Sequence, residues 1–451
     1  MYNKNIYKDA DDKKIKEIYA FGDNYKDFLG KSKIERQAVK EVVRLAKEKG
    51  YKDLEEVKEI KKGDKLYKVN KNKNVILFNI GEKPLTEGLR ILGAHIDSPR
   101  LDLKINPIYE SNDIVLLDTH YYGGIKKYQW VTTPLSMIGV IYKKDGSLLE
   151  INIGENENDP VFGITDLLVH LSSSQLTKEA SKVIEGEDLD VTFSSMVSEN
   201  KNAKEYILDF LKEKYGITEE DFISAEIEIV PSMMPKDYGI DRSMIAGYGH
   251  DDKVCAYPSV EAIINTKNPE YTSCVILTDK EEIGSVGATG AHSMFFENSV
   301  AELLIKSGDN NYYSLKKVLE NSKMLSCDVT GALDPLYSSA SDKKNAALFN
   351  NGISFEKYTG ARGKSNANDS NAEYISFIRK IMEDNNIYYQ FAELGKVDKG
   401  GGGTIAYILA KYNMDVIDAG VPVLNMHAPM EIIAKADLYE AYLAYKAFLN
   451  N

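Results

Sequence analysis

The sequence contains few cysteines and no excess of positive charge. Its three cysteines, Cys255, Cys274 and Cys327, cannot all pair with one another and form no CxxC motif, so neither a disulfide framework nor a thiolate metal site is indicated. We expect Cys255 and Cys327 to pack as small apolar residues. The formal net charge is −13, from 56 Lys and Arg against 69 Asp and Glu. A chain of this charge repels a phosphate backbone, which argues against nucleic acid as a partner.

Long apolar runs are missing as well. The N-terminus, MYNKNIYKDADDKKIKEIYAF, has no uninterrupted apolar segment like that of a signal peptide, and no stretch approaches the ~18 apolar residues of a membrane span. We therefore expect a cytoplasmic protein with no membrane partner. Hydrophobic residues make up 43% of the 451 positions, which is ordinary for a globular protein. At about 150 residues per domain, the length suggests two or three domains.

The sequence pattern changes several times along the first half of the chain. Residues 12–50 repeat apolar side chains with the period of amphipathic helices, whereas residues 74–97 contain short apolar runs typical of buried strands. Residues 101–240 show alternating patterns and turn signals, with one long helical pattern at 201–215. We interpret 101–240 as a mostly β insert.

From Asp241 onward, apolar strands alternate with amphipathic helices, a pattern typical of a doubly wound α/β sheet. The strands at 74–97 would join the same sheet. We therefore expect one discontinuous domain, formed by residues 1–100 and 241–451, that is interrupted by the insert 101–240. The predicted strands include SCVILTD, MLSCDV, YYQFAEL and VPVLNM, and the predicted helices include VCAYPSVEAIINT, EYISFIRKIMED and TIAYILAKYN.

Five segments end an apolar, strand-like run with a residue that can bind a metal ion. In open α/β sheets, ligands bind at the carboxyl ends of strands, so five such ends can converge on one crevice. The segments are GAHIDSP with His95 and Asp97, GYGHDDK with Asp251 and Asp252, TDKEEIGS with Glu281 and Glu282, SCDVTGA with Asp328, and LNMHAPME with His427.

The side chains of this set suit two metal ions. Imidazoles and carboxylates form a nitrogen and oxygen site of the kind that Zn²⁺, Mn²⁺ or Co²⁺ prefers. If two neutral histidines and three carboxylates hold two dications, one positive charge remains, which a bridging hydroxide would neutralise. That hydroxide is a nucleophile, because the metals lower the pKa of bound water toward neutrality. One of the adjacent Glu281 and Glu282 is then able to take the water's proton.

Each of these segments also has a structural explanation when it is taken alone. A single His at the end of an apolar run is usually a hydrogen-bonded structural residue, and an adjacent Glu pair is as often a solvated turn. Taken together, five polar strand ends favour a metal site, because burying that much charge without a cation would be costly.

Six motifs, in their order along the chain, resemble those of the M18 family of metallo-aminopeptidases, the aspartyl aminopeptidase and aminopeptidase I group. The resemblance runs over nearly the whole chain and is highly specific. It implies a zinc-peptidase α/β/α sandwich as the catalytic domain, with 101–240 as an inserted β-rich dimerisation domain. It also implies peptide substrates, two divalent ions per chain (Zn, with Co or Mn as alternatives), and dimers that assemble into dodecamers. The motifs are GAHIDSPRLDLK, GHDDKVCA, DKEEIGSVGATG, SCDVTGALDP, GGGGTIAYILA and AGVPVLNMHAPME.

The resemblance also implies a role for each site residue. Glu281 falls on the general acid/base that shuttles a proton during hydrolysis of the N-terminal residue. Asp97 falls on the carboxylate that orients the His95 imidazole and fixes its tautomer. Asp251 rather than Asp252 matches the bridging ligand, because the family's motif places the ligand first in this pair. Five residues thus fall on the metal ligands: His95 and Asp328 for one ion, Glu282 and His427 for the other, and Asp251 between the two.

Three further residues are candidates for substrate binding. His170, in FGITDLLVHLSSS, matches a family histidine that reaches a neighbouring subunit's active site; the alternative is a place in the core of the insert. In ISFEKYTGARGK, Lys357 facing the pocket would favour an acidic substrate residue, whereas Glu356 facing it would favour a neutral or basic one. Gly402 lies in a glycine run that lacks the ending of a P-loop, so we expect a helix N-terminus lining the substrate cleft or a flexible turn.

Two other functions stay open at the level of the sequence. Related two-metal folds also support amidohydrolases that act on N-acyl amino acids, and hydrolysis of unblocked against N-acylated substrates separates the two activities. The other alternative is a non-catalytic assembly protein of the same fold. The intact Glu281–Glu282 pair argues against that alternative.

Overall fold

The computed structural model describes residues 1–360, 362–365 and 367–451. The chain divides into two units. The larger unit consists of Met1–Asp97, Pro235–Met426 and Glu431–Asn451, and the smaller unit consists of Ser98–Met234 and His427–Met430. In the described part of the chain, no helix is long and apolar enough to cross a membrane.

Several helices begin at polar residues that cap their first turn. Asp11 accepts the backbone N–H of Lys14 at the start of α1 (Asp12–Gly30), and Asn202 forms a reciprocal capping box with Glu205 at the start of α3 (Ala203–Tyr215). The helical pattern at 201–215 is thus confirmed as α3. The other helices are α2 (Glu35–Glu48), α4 (His250–Ile264), α5 (Phe295–Lys306), α6 (Tyr312–Asn321), α7 (Ala372–Asp384), α8 (Ala406–Ala410) and α9 (Lys435–Leu449).

Among the described residues, the strands form three sheets, two in the larger unit and one in the smaller unit. The central sheet of the larger unit contains β1 (Lys52–Asp53), β2 (Lys65–Asn70), β3 (Asn74–Asn79), β4 (Arg90–His95), β13 (Ser273–Thr278), β14 (Lys323–Ser326), β16 (Ile353–Glu356), β17 (Tyr389–Phe391) and β18 (Asp415–Gly420). Its second sheet contains β11 (Lys236–Tyr238), β12 (Met244–Gly247), β15 (Thr330–Gly331), β19 (Pro422–Leu424) and β20 (Glu431–Ala434). The smaller unit contains β5 (Arg100–Ser111), β6 (Ile114–Tyr122), β7 (Leu135–Tyr142), β8 (Leu148–Ile153), β9 (Val191–Ser194) and β10 (Ala225–Pro231).

The central sheet is mixed, in the order β1-β2-β3-β13-β4-β14-β18-β16-β17. Strands β13, β4, β14 and β18 run parallel in its centre. On either side, β3 pairs antiparallel with β13, and β16 pairs antiparallel with β18. The mixed α/β class is confirmed. The expectation of a doubly wound sheet holds for the parallel centre and is wrong for the flanks, because an apolar run does not encode the direction of its strand.

Helices cover both faces of the central sheet. Residues of α1, α2, α4, α7 and α9 join the apolar cluster on one face, and residues of α5, α6 and α8 join the cluster on the other. Within β4, Leu92 belongs to the first cluster and Ile91 to the second, as the two-residue period of a strand requires. The central strands are buried on both sides for this reason, which explains their continuous apolar runs.

The second sheet of the larger unit has the order β11-β12-β20-β19-β15. Its strand β12 precedes Asp251, and its strand β19 precedes His427 in the sequence. The expectation that all five candidate segments end strands of one sheet is therefore wrong for these two. Their strands are joined through β20, a pairing between distant parts of the chain.

Two predicted elements near the C-terminus are shorter than expected. The helix expected over TIAYILAKYN is limited to α8, since the chain turns at Asn413, which has a φ of 69°. The strand expected over VPVLNM is β19 alone, while β18 before it belongs to the central sheet. Gly420 ends β18 where a Cβ atom would lie 1.6 Å from the carbonyl oxygen of Asp328. A glycine is needed there for the Asp328 backbone to approach.

The smaller unit is built on an antiparallel sheet in the order β8-β7-β10-β5-β6-β9. Trp130, the single tryptophan of the chain, is completely buried in this unit. The β-rich character predicted for the insert is confirmed. The sheet is irregular between Leu103 and Ile108, where the register of β5 against β6 shifts.

Candidate metal centre

His95 ends the parallel strand β4 and is buried. Its Nδ1 atom lies 3.1 Å from the carbonyl oxygen of Asp97 and 3.2 Å from Asp97 Oδ1. Both of these oxygens are acceptors, so Nδ1 carries the proton and its N–H donates the hydrogen bond. Contacts of this kind fix the ring orientation of metal-binding histidines and direct Nε2 toward the metal.

The Nε2 atom of His95 faces two buried carboxylates. It lies 3.1 Å from Asp251 Oδ1 and 3.8 Å from Asp328 Oδ1. One ligand atom from each of the three residues lies within 4.8 Å of those of the other two. The larger unit therefore brings together three of the predicted metal ligands, from segments far apart in the sequence.

The electrostatics of this cluster favour a bound cation. Burial opposes protonation of His95, but its contacts with Asp251, Asp328 and Asp97 raise the pKa of its imidazole well above the usual range. Burial likewise raises the pKa of the Asp328 carboxyl, while the contact with His95 opposes this shift. A shared positive charge would relieve these carboxylates. One imidazole nitrogen with carboxylate oxygens is also the donor chemistry that zinc prefers, so the residues fit a metal ion.

A hydrogen bond from its backbone N–H positions Asp251. It lies in the first turn of α4, where its φ and ψ are not helical, and its N–H donates to Glu431 Oε2 at 3.1 Å. Glu431 is only 1% exposed. The neighbouring Asp252 faces the backbone of His95 instead, since its Oδ2 accepts the His95 N–H at 3.3 Å. Our sequence interpretation missed Glu431, and its place four residues after His427 was the only available signal.

Glu281 and Glu282 form a short 3-10 helix after the parallel strand β13. Their backbone N–H groups donate to Asp97 Oδ1 and Oδ2 respectively, each at 3.2 Å. A carboxylate oxygen of Glu282 lies within 4.8 Å of one of Asp251. Burial, reinforced by nearby carboxylates and opposed by His95, raises the pKa of Glu281 to about 8. A carboxyl group with a pKa near neutrality suits general acid/base catalysis.

His427 belongs to the smaller unit, as does Gly124. The Nδ1 atom of His427 lies 2.7 Å from the carbonyl oxygen of Gly124. A carbonyl oxygen only accepts hydrogen bonds, so Nδ1 carries the proton. In the neutral ring, Nε2 then carries the lone pair that a metal ion requires.

The two candidates for the substrate side chain differ in their surroundings. Glu356 ends β16, is buried, and accepts a hydrogen bond from the Thr330 hydroxyl. Burial, followed by the charges of Asp418 and Asp328, raises the pKa of Glu356 to about 8. Lys357 instead lines a cavity of about 450 Å³ next to β17. Of the described residues that line this cavity, none is one of the predicted metal ligands.

The expectation that the glycine run at 400–403 forms a helix N-terminus is wrong, because the N-cap of α8 is Ile405. The Gly402 carbonyl accepts the backbone N–H of Gly360 at 2.7 Å. Gly402 itself is exposed. This hydrogen bond joins the loop that contains the glycine run to the loop that contains Gly360.

His170 lies on a 3-10 turn, Val169–Leu171, and is exposed. The alternative that it lies in the core of the insert is therefore wrong. Its neighbours are exposed too, with Val169 73% and Leu171 64% accessible. The apolar residues around His170 led us to consider either burial within the insert or a place at an interface. In the structure, they lie on the surface of the smaller unit.

The remaining histidines and the cysteines have structural surroundings. His250 is buried, and its Nδ1 lies 2.8 Å from the Tyr25 hydroxyl. His120 and His292 contact Tyr121 and Tyr407 at or near the surface. Cys255, Cys274 and Cys327 are free and buried, which agrees with the packing role expected for Cys255 and Cys327.

Comparison with known proteins supports a metallopeptidase. Residues 28–449 match the family model described as aminopeptidase I zinc metalloprotease (M18). A probable M18 family aminopeptidase 1 from Clostridium acetobutylicum is 54% identical over 456 aligned positions, which cover 99% of this chain and 98% of that protein.

Solved structures match the fold over the full length. The crystal structure of an M18 family aminopeptidase from Thermotoga maritima has a TM-score of 0.96 at 43% identity, covering 100% of this chain and 99% of that one. Aminopeptidase I from Clostridium acetobutylicum has a TM-score of 0.93 at 52% identity, with the same coverage. The S. cerevisiae mApe1 dodecamer, at 19% identity, a TM-score of 0.76 and coverage of 95% and 96%, shares the fold.

Proposed function

The chain belongs to the M18 family of zinc metallo-aminopeptidases, which remove N-terminal residues from peptides, and on this premise we propose a two-metal mechanism with Glu281 as its general acid/base. The observation that carries the proposal is the buried cluster of His95, Asp251 and Asp328. Two carboxylates and an imidazole converge there, with one ligand atom of each within 4.8 Å of those of the other two.

We assign five ligands to two divalent ions, with zinc as the first choice and cobalt or manganese as alternatives. Such ions, when bound, lower the pKa of water and polarise the scissile carbonyl. The distances within the His95 cluster support the first ion, and the proximity of Glu282 to Asp251 supports the second. The assigned ligands are His95 and Asp328 for one ion, Glu282 and His427 for the other, and Asp251 for both.

In this mechanism, Glu281 accepts a proton from the attacking water and donates it to the amine of the leaving peptide. Its place supports both steps, since the backbone N–H of Glu281 is held by Asp97, which also contacts His95, and a carboxyl group beside the metal ligands is able to hold and release a proton. Asp97 acts through its contacts with His95 and with the backbone of the two glutamates. It is a positioning residue in this scheme.

We propose that the enzyme prefers a neutral or basic N-terminal residue. Glu356 accepts a hydrogen bond from the hydroxyl of Thr330, two residues after Asp328 in the chain, whereas Lys357 lines a cavity with no assigned ligand among its described residues. The alternative, in which Lys357 receives an acidic side chain, predicts the opposite preference. Gly402 is retained as a residue of the substrate cleft.

We further propose that 101–240 is a dimerisation domain inserted into a catalytic domain of 1–100 and 241–451, and that dimers assemble into dodecamers. The division of the chain into two units supports the first part, and the S. cerevisiae mApe1 dodecamer supports the second. In this assembly His170 would contact the substrate of a neighbouring subunit. Its exposure among apolar residues supports that role.

The test of the activity is a panel of chromogenic aminoacyl substrates, each with a free or an acetylated α-amine. We expect hydrolysis of the free-amine series alone, and loss of activity after chelation. Hydrolysis of the acetylated series instead would favour an N-acyl amino acid amidohydrolase. A protein loaded with metal that cleaves neither series would favour the non-catalytic alternative.

The test of the role of His170 mixes two variants under conditions of subunit exchange. Glu281→Gln lacks the base, and His170→Phe lacks the imidazole, so each alone should be nearly inactive. If His170 acts in a neighbouring subunit, mixed oligomers regain part of the activity. No recovery despite demonstrated exchange, or full activity of a monomer, contradicts this role.

A further inference from the structure

The two glutamates of the proposed mechanism lie on one loop, residues 279–292, which we call the glutamate loop. It begins directly after β13 and closes on itself, since the Asp279 N–H donates to the Thr289 carbonyl at 3.2 Å. Inside it, the Ser285 N–H donates to the Lys280 carbonyl at 2.6 Å. Lys280 and Ser285 have φ values of 68° and 60°, which residues other than glycine rarely adopt.

A side-chain hydrogen bond joins the two ends of this loop. The Thr289 hydroxyl donates to Asp279 Oδ2 at 2.6 Å. Both residues are almost fully buried, at 4% and 1% exposure. The side-chain amide of Asn74, on the neighbouring strand β3, donates to the Thr289 carbonyl. Asn70 anchors the same place, because its amide donates to Asn74 Oδ1 at 3.0 Å and to the Ala288 carbonyl at 2.8 Å.

The surroundings of Asp279 disfavour the charged form of its carboxyl group. Burial, together with the charges of Glu35 and Asp97, raises the pKa of Asp279 to about 7. The hydroxyl of Thr289 opposes this shift, because it donates to the carboxylate form. Burying a carboxyl group costs free energy unless the group is hydrogen-bonded. Asp279 therefore depends on the hydrogen bond from the Thr289 hydroxyl.

We propose that Thr289 and Asp279 are positioning residues, whose hydrogen bond fixes the base of the glutamate loop and so places Glu281 and Glu282 against the metal ions. The inference rests on the roles proposed above for these two glutamates. Asp97 accepts their backbone N–H groups at 3.2 Å, and the Thr289–Asp279 bond joins the two ends of the same loop. Precision matters here, because a misplacement of about 1 Å can cost about 10²-fold in rate.

Three variants isolate the hydroxyl group. Thr289→Val removes it at nearly constant volume, and Thr289→Ser keeps it. Thr266→Val is the matched control, since Thr266 is also buried and donates to a carbonyl, that of Ala262 at 2.8 Å, near the end of α4. Thr289→Ala provides the same test if the valine variant does not fold.

The first readout is hydrogen–deuterium exchange of the peptide that contains Glu281 and Glu282, measured on the full-length protein with zinc and after chelation. We expect Thr289→Val to accelerate exchange about tenfold in both states, the effect of one lost hydrogen bond on local opening. Thr289→Ser and Thr266→Val should match the wild type in this peptide.

The second readout is steady-state kinetics of the zinc-loaded enzyme. Thr289→Val should lower kcat by about 10- to 100-fold while KM changes by less than about 3-fold, because the loop is displaced and the substrate contacts remain. Thr289→Ser should recover most of kcat.

Unchanged exchange in Thr289→Val, or an equal change in the Thr266→Val control, overturns the proposal. Faster exchange with an unchanged kcat also overturns it, and leaves the proposed function intact. Full activity of Glu281→Gln would instead overturn the proposed function itself, so the two failures are distinguishable.

Discussion

A hydrogen bond of 3.2 Å joins the backbone N–H of Glu281 to Asp97 Oδ1. The second oxygen of Asp97 accepts the N–H of Glu282 at the same distance, and Oδ1 also lies 3.2 Å from His95 Nδ1. One carboxylate thus contacts an assigned ligand of the first metal ion and the backbone of both glutamates. Any displacement of Asp97 would disturb both halves of the proposed site.

We expect Asp97→Asn to bind zinc about 10- to 100-fold more weakly than the wild type, the usual cost of losing a partner of a metal ligand. The asparagine side chain has one acceptor oxygen in place of two. Its NH₂ group would therefore face the backbone N–H of Glu281 or Glu282, which is also a donor. Competition between the chelator-treated protein and a fluorescent zinc chelator measures the affinity. Asp415→Asn is the control, because Asp415 pairs with Lys323 at the opposite end of the parallel strands. Wild-type affinity in Asp97→Asn would contradict this role.

Substitutions of the two adjacent glutamates should have different effects on turnover and on metal content. Glu281→Gln should lose about 10²-fold or more in kcat, the scale of proton-transfer catalysis, and keep its metal. Glu282→Gln should lose metal, because a neutral amide is a poorer ligand than a carboxylate. Elemental analysis beside steady-state kinetics measures both properties. If Glu281→Gln loses the metal and Glu282→Gln keeps it, the assignment within the pair is reversed.

Replacement of Glu356 should alter the preference among substrates. We expect Glu356→Gln to lower the ratio of kcat/KM for lysyl over leucyl substrates by about tenfold, or about 1.4 kcal/mol of transition-state binding. Lys357→Met, the neighbouring control, should leave this ratio unchanged. The contrary outcome, in which Lys357→Met alone changes the preference and acidic substrates are cleaved best, would favour the Lys357 alternative.

His250 gives the stability of the metal-free protein a distinct dependence on pH. Burial lowers the pKa of its imidazole from the usual 6.5 to about 3, and its Nδ1 contacts the Tyr25 hydroxyl. The folded state therefore binds this proton less tightly than the unfolded state does. The contribution is fully present above pH 6.5 and is lost as the pH falls toward 3.

At pH 5, this single group should cost about 2 kcal/mol of unfolding free energy relative to pH 7.5. His250→Phe removes the titration, so the variant should be less stable at pH 7.5, where Tyr25 loses its partner, but should lose less on acidification. Urea unfolding of chelator-treated wild type and variant at both pH values measures the difference. An identical loss in the two proteins would exclude this effect.

The sequence predicts those parts of the candidate site that depend on local patterns. His95 and Asp328 end or follow parallel strands of the central sheet, and their apolar runs identify such strands directly. Asp251 and His427 follow strands of another sheet, whose pairing through β20 joins distant segments. Such pairings leave no periodic signal in either segment, which explains why the sequence pattern predicts one sheet for all five.

Two contacts that hold loops of the candidate site could not be predicted. Glu431 accepts the N–H of Asp251, and Thr289 bonds Asp279 across its own loop. In the sequence, these residues look like any other glutamate and threonine. His170 shows a related limit, because an apolar run does not distinguish a buried core from an exposed surface.

The most direct test of the two-metal mechanism is a zinc titration of the chelator-treated enzyme, with hydrolysis of a free-amine aminoacyl substrate as the readout. The mechanism predicts negligible turnover without metal and a plateau at about two bound ions per chain, since both carbonyl polarisation and water activation are assigned to the pair. Full turnover of the metal-free protein, or a plateau at one equivalent that a second ion does not change, would contradict it.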